Sequence, residues 1–399
     1  MSRISGLALT EDGQFTEATI HVTGAAISGV EQVSRTGSAG VGAITSLPAG
    51  HMIIPGLVDL HCHGAFGVDF PTSTLDCARE AVHQIHATGT TTVVASLVTM
   101  AADHLIAGVE RLAPLVQSGD IAGIHLEGPF LSQARCGAQD PAWLSNPDLE
   151  LTRELIRAGR GGLRTMTFAP ELPGSDELID LLVRHGVTPS IGHTASDTAV
   201  AAQALRRAQR ALALGTDQPG AVPTVTHLFN GMDPIHHRAP GALAACLSAA
   251  CAGNAVVELI ADNVHLAPET VAMVFDLVGA DNIALVTDSM AAAGLADGLY
   301  NLGASEVRVA GGVARLTAVD SIAGGTASMI RLVRNAVQAG VPLEAALHSA
   351  TRVPAKVLGL AEEVGVLKAG AHADLLVLTT DLEIRGVMRN GRWLDSAMS

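Results

Sequence analysis

The chain has 399 residues, of which 48% are hydrophobic, 16% charged and only 3% aromatic, and it carries a net charge of −15. That length suits one α/β barrel with a small appendage, its core packed with Ala, Val, Leu and Gly rather than aromatic rings. So acidic a balance argues against nucleic acid or an anionic membrane as partner, and admits an anionic small molecule only where Arg and His gather locally.

Residues 1–50 read as short β segments: Ala18–Val22 alternates, Ala25–Val30 is similar, and Thr10–Gly13 is a turn-rich break. The opening stretch MSRISGLALTEDG has no apolar core long enough for a signal peptide. At the far end Ala373–Leu378 is apolar, and Ile384–Met388 leads through the turn Arg389–Asn390–Gly391 to Trp393. Asn-Gly is a strong hairpin signal. The two ends are therefore expected to pair as one small β-sandwich domain (1–54 with 360–399), with residues 55–359 inserted as the main domain.

That main domain repeats an apolar β run, a Gly-rich or polar break and a helical segment. The runs are Leu57–His61, Thr91–Leu97, Ile121–Leu126, Leu163–Phe168, Val187–Ile191, Val222–His227, Ala255–Ile260 and Asn282–Thr287. Segments such as Leu75–Ala87, Pro173–His185 and Asp197–Ala213 suit amphipathic helices. Near-continuous apolar strands alternating with helices indicate a parallel sheet, and eight units favour a closed (β/α)8 TIM-like barrel. After the eighth run, Ser305–Thr317 reads as a hairpin turning at Gly311–Gly312, followed by helices over Thr326–Gly340 and Pro342–Thr351. The most apolar stretch, Gly241–Gly253, is too short to span a bilayer.

The five cysteines, Cys62, Cys77, Cys136, Cys246 and Cys251, are scattered without a CxxC pair, which fits reduced thiols in the cytoplasm. Only two lysines occur, Lys356 and Lys368. Their scarcity excludes a Walker A loop and disfavours a Schiff-base or metal-bridging carboxylated lysine.

Polar residues gather where the strands should end. His61 and His63 flank Cys62 at the first, on one face of an extended chain; the pair reads either as an ordinary strand end or as one edge of a metal site. Strand three ends in Glu127, strand five runs into His193, strand six into His227 and Asn230, strand seven into Asp262 and His265, and strand eight into Asp288. Any one alone is an unremarkable strand cap; together they ring one mouth of a barrel. Glu127, His193 and His227 make a His2Glu set, a catalytic arrangement that leaves a position for water. A bound ion lowers that water's pKa toward about 7. Asp288 is placed to take its proton and deliver it to a leaving group.

In order, HCHG after PGLVDL, HLEGPF, GHT, THLFN, HRAPG and LVTDS resemble the motif series of the amidohydrolase superfamily. HLEGPF and THLFN resemble in particular its N-acetylglucosamine-6-phosphate deacetylase family. VPAKVLGL and VGVLKAGAHADLLVL are similar to the superfamily's return into its small β domain. The resemblance implies hydrolysis of the acetamide of N-acetylglucosamine 6-phosphate to glucosamine 6-phosphate and acetate. It further implies one or two divalent ions, zinc foremost, with Glu127, His193 and His227 holding the catalytic one. His61 and His63 match positions that bind a second ion in some members and are lost in others. Asp288 is the implied general base and acid. Asn230, Gly231 and His265 would meet the phosphate with Arg238 reaching from the neighbouring subunit of a homodimer, and Gln139 and Ile322 complete the substrate contacts.

Three departures stand out. Gly231 replaces the usual alanine, which leaves its backbone N–H free for phosphate. Ala239 removes a carboxylate beside Arg238. Gln139 stands where many members have a substrate-contacting histidine. Cys136, beside Arg135 in the same loop, is a candidate reactive thiol. Two other readings remain: a dihydroorotase- or hydantoinase-like cyclic amidase, disfavoured because strand four ends Phe168–Ala169–Pro170–Glu171 without lysine, and a non-enzymatic barrel scaffold, which has no need of an intact ligand set.

Overall fold

A computed structural model describes residues 2–32, 45–215 and 220–394. Parts of the expected terminal domain, 33–44 and 395–399, lie outside the described residues.

Eight parallel strands form the central sheet: Leu57–Cys62, Thr90–Leu97, Gly123–Glu127, Leu163–Phe168, Thr188–Ile191, Thr224–Val225, Val256–Leu259 and Ile283–Leu285. Each pairs with the next in chain order. Every residue of the first two is buried, which is why they read as near-continuous apolar runs rather than alternating ones. The ends of the sheet meet: Cys62 bridges Ser289, His63 N donates to Ser289 O at 2.7 Å and Asp288 N to His61 O at 2.8 Å. The Asp59 carboxylate fastens this seam from within, accepting Thr287 N–H at 3.2 Å and its hydroxyl at 2.5 Å. The result is a nearly closed barrel.

Helices cover its outside. In the first, Leu75–Ala87, the Thr74 hydroxyl accepts from Cys77 N, Asp76 stands in the first turn, and Ala78, Ala81, Val82 and Ile85 form the buried face. Its span is the one the sequence pattern predicts. The expected 173–185 and 197–213 helices are found as Ser175–Arg184 and Thr198–Gly215. The eighth barrel helix, Met329–Gln338, is delayed by a three-stranded antiparallel sheet, Gly298–Leu302, Ser305–Ala310 and Val313–Leu316. The expected hairpin at Gly311–Gly312 is the second turn of that sheet.

Strands from both ends of the chain join in one eight-stranded sheet. Its order is Arg392–Trp393, Ile384–Arg389, Leu375–Thr379, His51–Pro55, Ser2–Leu9, Phe15–Thr23, Ala26–Gln32, with Thr45–Ser46 beside Ser2–Leu9. The Asn-Gly turn is present, with Asn390 at φ 48° and Gly391 at φ 72°; a Cβ on Gly391 would lie 1.9 Å from the Gly24 carbonyl oxygen. Along Leu375–Thr379 the side chains alternate between two cores. Leu375 and Val377 pack with Ile4, Ile20 and Ile53 of the terminal sheet, and Leu376 and Leu378 join the barrel's core. That alternation fixes the terminal sheet onto the barrel.

Candidate active site

The polar strand ends converge at one mouth of the barrel because each chain turns sharply there. His193, His227 and Asp288 all adopt left-handed backbone, at φ 46°, 26° and 45°. Such conformations cost about 1–3 kcal/mol each in non-glycine residues and collect at functional sites. They swing the side chains inward instead of continuing the strand.

Glu127, the last residue of the third strand and 3% exposed, is the centre. Its Oε1 faces Nε2 of His193 at 2.9 Å and of His227 at 2.8 Å. Its Oε2 faces Nε2 of His63 at 3.1 Å and of His61 at 3.8 Å, and accepts the Gln139 amide at 2.5 Å. His61 Nε2 and His63 Nε2 are 2.9 Å apart, and Asp288 Oδ1 lies 3.4 and 3.3 Å from them. Thus four imidazoles and a second carboxylate surround one buried carboxylate.

Electrostatics follow from this packing. Burial penalises the Glu127 carboxylate, but the contacts from His193, His227 and His61 outweigh it and hold its pKa well below the usual range. Burial likewise opposes charge on Asp288, yet His61 and His63 keep its carboxyl ionised and its pKa low. In return, against their own burial, His61 is drawn well above the ordinary histidine value by Asp288, Glu127 and Glu258, and His63 is raised to about 9 by Asp288 and Glu127. The site demands positive charge between the imidazole nitrogens and the carboxylates.

A divalent cation fits that demand. The ligand atoms of Glu127, His193 and His227, and separately those of His61, His63 and Glu127, lie within 4.8 Å of one another. His193 Nδ1 meets the Arg135 carbonyl at 2.8 Å and is therefore the donor nitrogen, so a neutral ring turns the Nε2 lone pair to Glu127. Two acceptors facing each other at 2.9 Å need a proton or a metal ion between them. Imidazole nitrogen with carboxylate oxygen is a donor set that suits zinc.

The cleft above holds about 320 Å³ and is lined by Glu127, His63, His193, His227 and Asp288 below, and by Asn230, Gly231, His265, Gln139 and Ile322 at its sides. His61 lies beneath, fully buried. Asp262 holds His265 at 2.8 Å, and against burial the pair lowers the pKa of the acid and raises that of the base. Leu302 and Ser321 extend the wall, so the three-stranded insertion borders the mouth. Arg238 is not brought in: it is exposed on the 233–240 loop, and no Arg or Lys is among the described lining residues. Cys136 is half-buried and outside the lining, and the guanidinium of Arg135 pairs with Asp233, joining the loops after strands three and six.

Three contributors are absent from the sequence reading. Thr99 N donates to Gln139 Oε1 at 2.7 Å and so anchors the amide against Glu127. Gly325 N donates to Asp288 O at 2.6 Å, and a Cβ on Gly325 would lie 2.4 Å from Thr287 O. Glu258, 2% exposed, accepts from His61 Nδ1 at 3.2 Å; a lone carboxylate inside the apolar run Val256–Ile260 was its visible signal.

Known proteins resemble this chain over most of its length. The amidohydrolase family matches residues 52–394. N-acetylglucosamine-6-phosphate deacetylase of Homo sapiens is 34% identical over 355 residues, covering 86% of this chain and 83% of that protein. The structure of a point mutant of N-acetyl-D-glucosamine-6-phosphate deacetylase from Mycobacterium smegmatis, in complex with N-acetyl-D-glucosamine-6-phosphate, superposes with a TM-score of 0.89 at 36% identity, covering 99% of each chain. That from Thermotoga maritima gives 0.83 at 27%, covering 98% of each. The chain belongs to the amidohydrolase family.

Proposed function

We propose that the protein hydrolyses the acetamide of N-acetylglucosamine 6-phosphate, releasing glucosamine 6-phosphate and acetate. The observation that carries this reading is the buried Glu127 carboxylate among four imidazoles with Asp288 at the floor of the cleft, together with relatives of that activity over most of the chain. Glu127, His193 and His227 hold the catalytic ion, zinc by the character of the donors, and His61 with His63 a second. When bound, such an ion polarises the amide carbonyl and makes water acidic enough to be deprotonated near neutrality.

The protein's own groups do the rest. Asp288, ionised and facing the cleft, takes the proton of the attacking water as its oxygen adds to the acetyl carbon. It then gives that proton to the amide nitrogen as the C–N bond breaks, so that an amine leaves and acetate remains. Asn230, Gly231 and His265 receive the phosphate from this subunit. The missing cation comes from Arg238 of a second subunit in a homodimer, whose planar guanidinium suits phosphate oxygens. Gln139 and Ile322 border the acetamide and sugar, and Cys136 rides the same loop as Gln139. In domain terms, 55–359 is the catalytic barrel and 1–54 with 360–399 the β-sandwich appendage of a cytoplasmic enzyme.

The test is acetate release from N-acetylglucosamine 6-phosphate, from N-acetylglucosamine and from other phosphorylated N-acetylhexosamines, with bound metal measured on the same sample. We expect turnover of the 6-phosphate that is lost on chelation and restored by zinc. Turnover of the sugars with equal kcat/KM, or activity undiminished after complete metal removal, refutes the reading.

A further inference from the structure

Glu258 is a buried carboxylate, 2% exposed, that the proposed reaction leaves without a task. It stands in the seventh barrel strand with Val256, Val257, Leu259 and Ile260 as its chain neighbours. Among the described residues its one ion-pair partner is His61, whose Nδ1 lies 3.2 Å from Oε2. The same oxygen accepts the backbone N–H of His227 at 3.2 Å. Carboxylates are rarely kept in such surroundings without a compensating charge.

The compensation lies on the other side of the His61 ring. With Nδ1–H donated to Glu258, a neutral His61 turns the lone pair of Nε2 toward His63 Nε2 at 2.9 Å, Asp288 Oδ1 at 3.4 Å and Glu127 Oε2 at 3.8 Å. Four electron-rich atoms then share one small space, which a cation satisfies. The other histidine pair is supported differently. His193 rests on a neutral backbone carbonyl, that of Arg135, while His63 Nδ1 and His227 Nδ1 are buried with no hydrogen-bond partner among the described residues. Among the described residues each pair thus has one anchored ring, and that of the His61–His63 pair is anchored by a side-chain carboxyl group. A carboxylate behind a metal-binding imidazole fixes its tautomer and raises its basicity, an effect worth roughly 10- to 100-fold in metal affinity.

We propose that Glu258 is the positioning residue that gives the His61–His63 side its affinity for a second divalent ion, acting through His61. The inference rests on the metal-dependent reading of the site, and its test separates the two. Bound zinc per chain is measured by mass spectrometry after equilibration against buffered free zinc, for the unmodified protein, Glu258→Gln, His61→Ala and the double variant. We expect two binding steps in the unmodified protein. Glu258→Gln, which keeps shape and an acceptor for His227 N–H, should weaken one step by about 10- to 100-fold and leave the other unchanged. In the His61→Ala background, Glu258→Gln should change zinc affinity no further. A merely structural carboxylate would instead weaken both steps alike and do so in either background, which overturns the proposal. Two unaltered steps in Glu258→Gln also overturn it. A single step in an unmodified protein that still releases acetate overturns it while sparing the proposed function; no bound ion in an active protein refutes the metal-dependent reading itself. Should Glu258→Gln fail to fold, proton NMR of the unmodified protein decides. The zinc-loaded form must show a strongly deshielded imidazole N–H that disappears in His61→Ala, and its absence overturns the proposal.

Discussion

Replacing Asp288 by Asn tests the assigned chemistry most directly, because the side chain keeps its size and loses its proton affinity. Asp288 is 8% exposed, with Oδ1 3.3 Å from His63 Nε2 and 3.4 Å from His61 Nε2. It belongs to neither group of atoms gathered for a metal ion. A positioned general base and acid is worth roughly 10²- to 10⁴-fold, or about 3–5 kcal/mol of barrier. kcat should fall by that factor while KM stays within about threefold, since only the transition state uses the proton transfer. The effect on metal has a definite sign. Asp288 is the strongest influence raising the His61 pKa against burial. Its neutralisation therefore makes the imidazoles easier to deprotonate, and ligation should not suffer from protonation. Acetate release followed with metal content on the same preparation checks both halves. A kcat within threefold of the parent refutes the assigned role. So does a fall in turnover that merely tracks a loss of bound metal, which would make Asp288 a ligand instead.

Arg238→Ala should lower kcat/KM for the phosphorylated substrate by ten-fold or more, on the order of a charge-assisted hydrogen bond, and leave the unphosphorylated sugar unchanged; equal losses on both would remove Arg238 as the phosphate clamp. Gly325→Ala pushes a methyl to 2.4 Å from Thr287 O and should cost about 1–3 kcal/mol in a denaturant melt together with turnover, because Asp288 shifts with it. With a thiol reagent at pH 8, exposed Cys77 and Cys251 should label first and half-buried Cys136 more slowly. Cys62 and Cys246, whose thiols burial pushes up to about 12, should label only on unfolding. Inactivation should follow Cys136, and full activity after its mapped alkylation would dismiss the loop thiol.

The barrel was legible because its strands are buried on both faces, so apolar runs mark them without knowledge of their partners. The expectation runs long at strand six, Val222–His227 against Thr224–Val225, because His227 has already left extended backbone at φ 26°. Gly298–Leu302 carries no strand signal because it is a half-exposed strand bearing Gly298 and Asn301, with only Leu302 buried. In the site, Glu127, His193, His227 and Asp288 were visible as polar residues interrupting apolar runs at one recurrent position. Glu258 interrupts a run just as plainly, but its meaning lies in partners 197 and 31 residues away. The resemblance implies a substrate contact at Gln139; the folded chain sets its amide against Glu127, braced by Thr99, a relation no spacing announces.

Those distant contacts explain how three left-handed residues persist at the mouth. Each is tied by backbone hydrogen bonds that the barrel itself supplies. Asp288 N is held by His61 O across the seam and its carbonyl by Gly325 N. His227 N is held by Glu258 and its carbonyl by Asn230 N. The carbonyl of His193 accepts from Ser132 N, while the next residue, Thr194, donates to Gly231 O. The strain of turning each side chain inward is thus offset by contacts to neighbouring strands and loops. His61 and Glu127, on regular strand backbone, need no such turn, and at His61 the added carboxylate of Glu258 fixes the one freedom left, the direction of its lone pair. Side-chain geometry at this mouth is therefore a property of the closed barrel, and, on the proposed metal-dependent function, substitutions along its seam should disturb metal affinity before they disturb the fold.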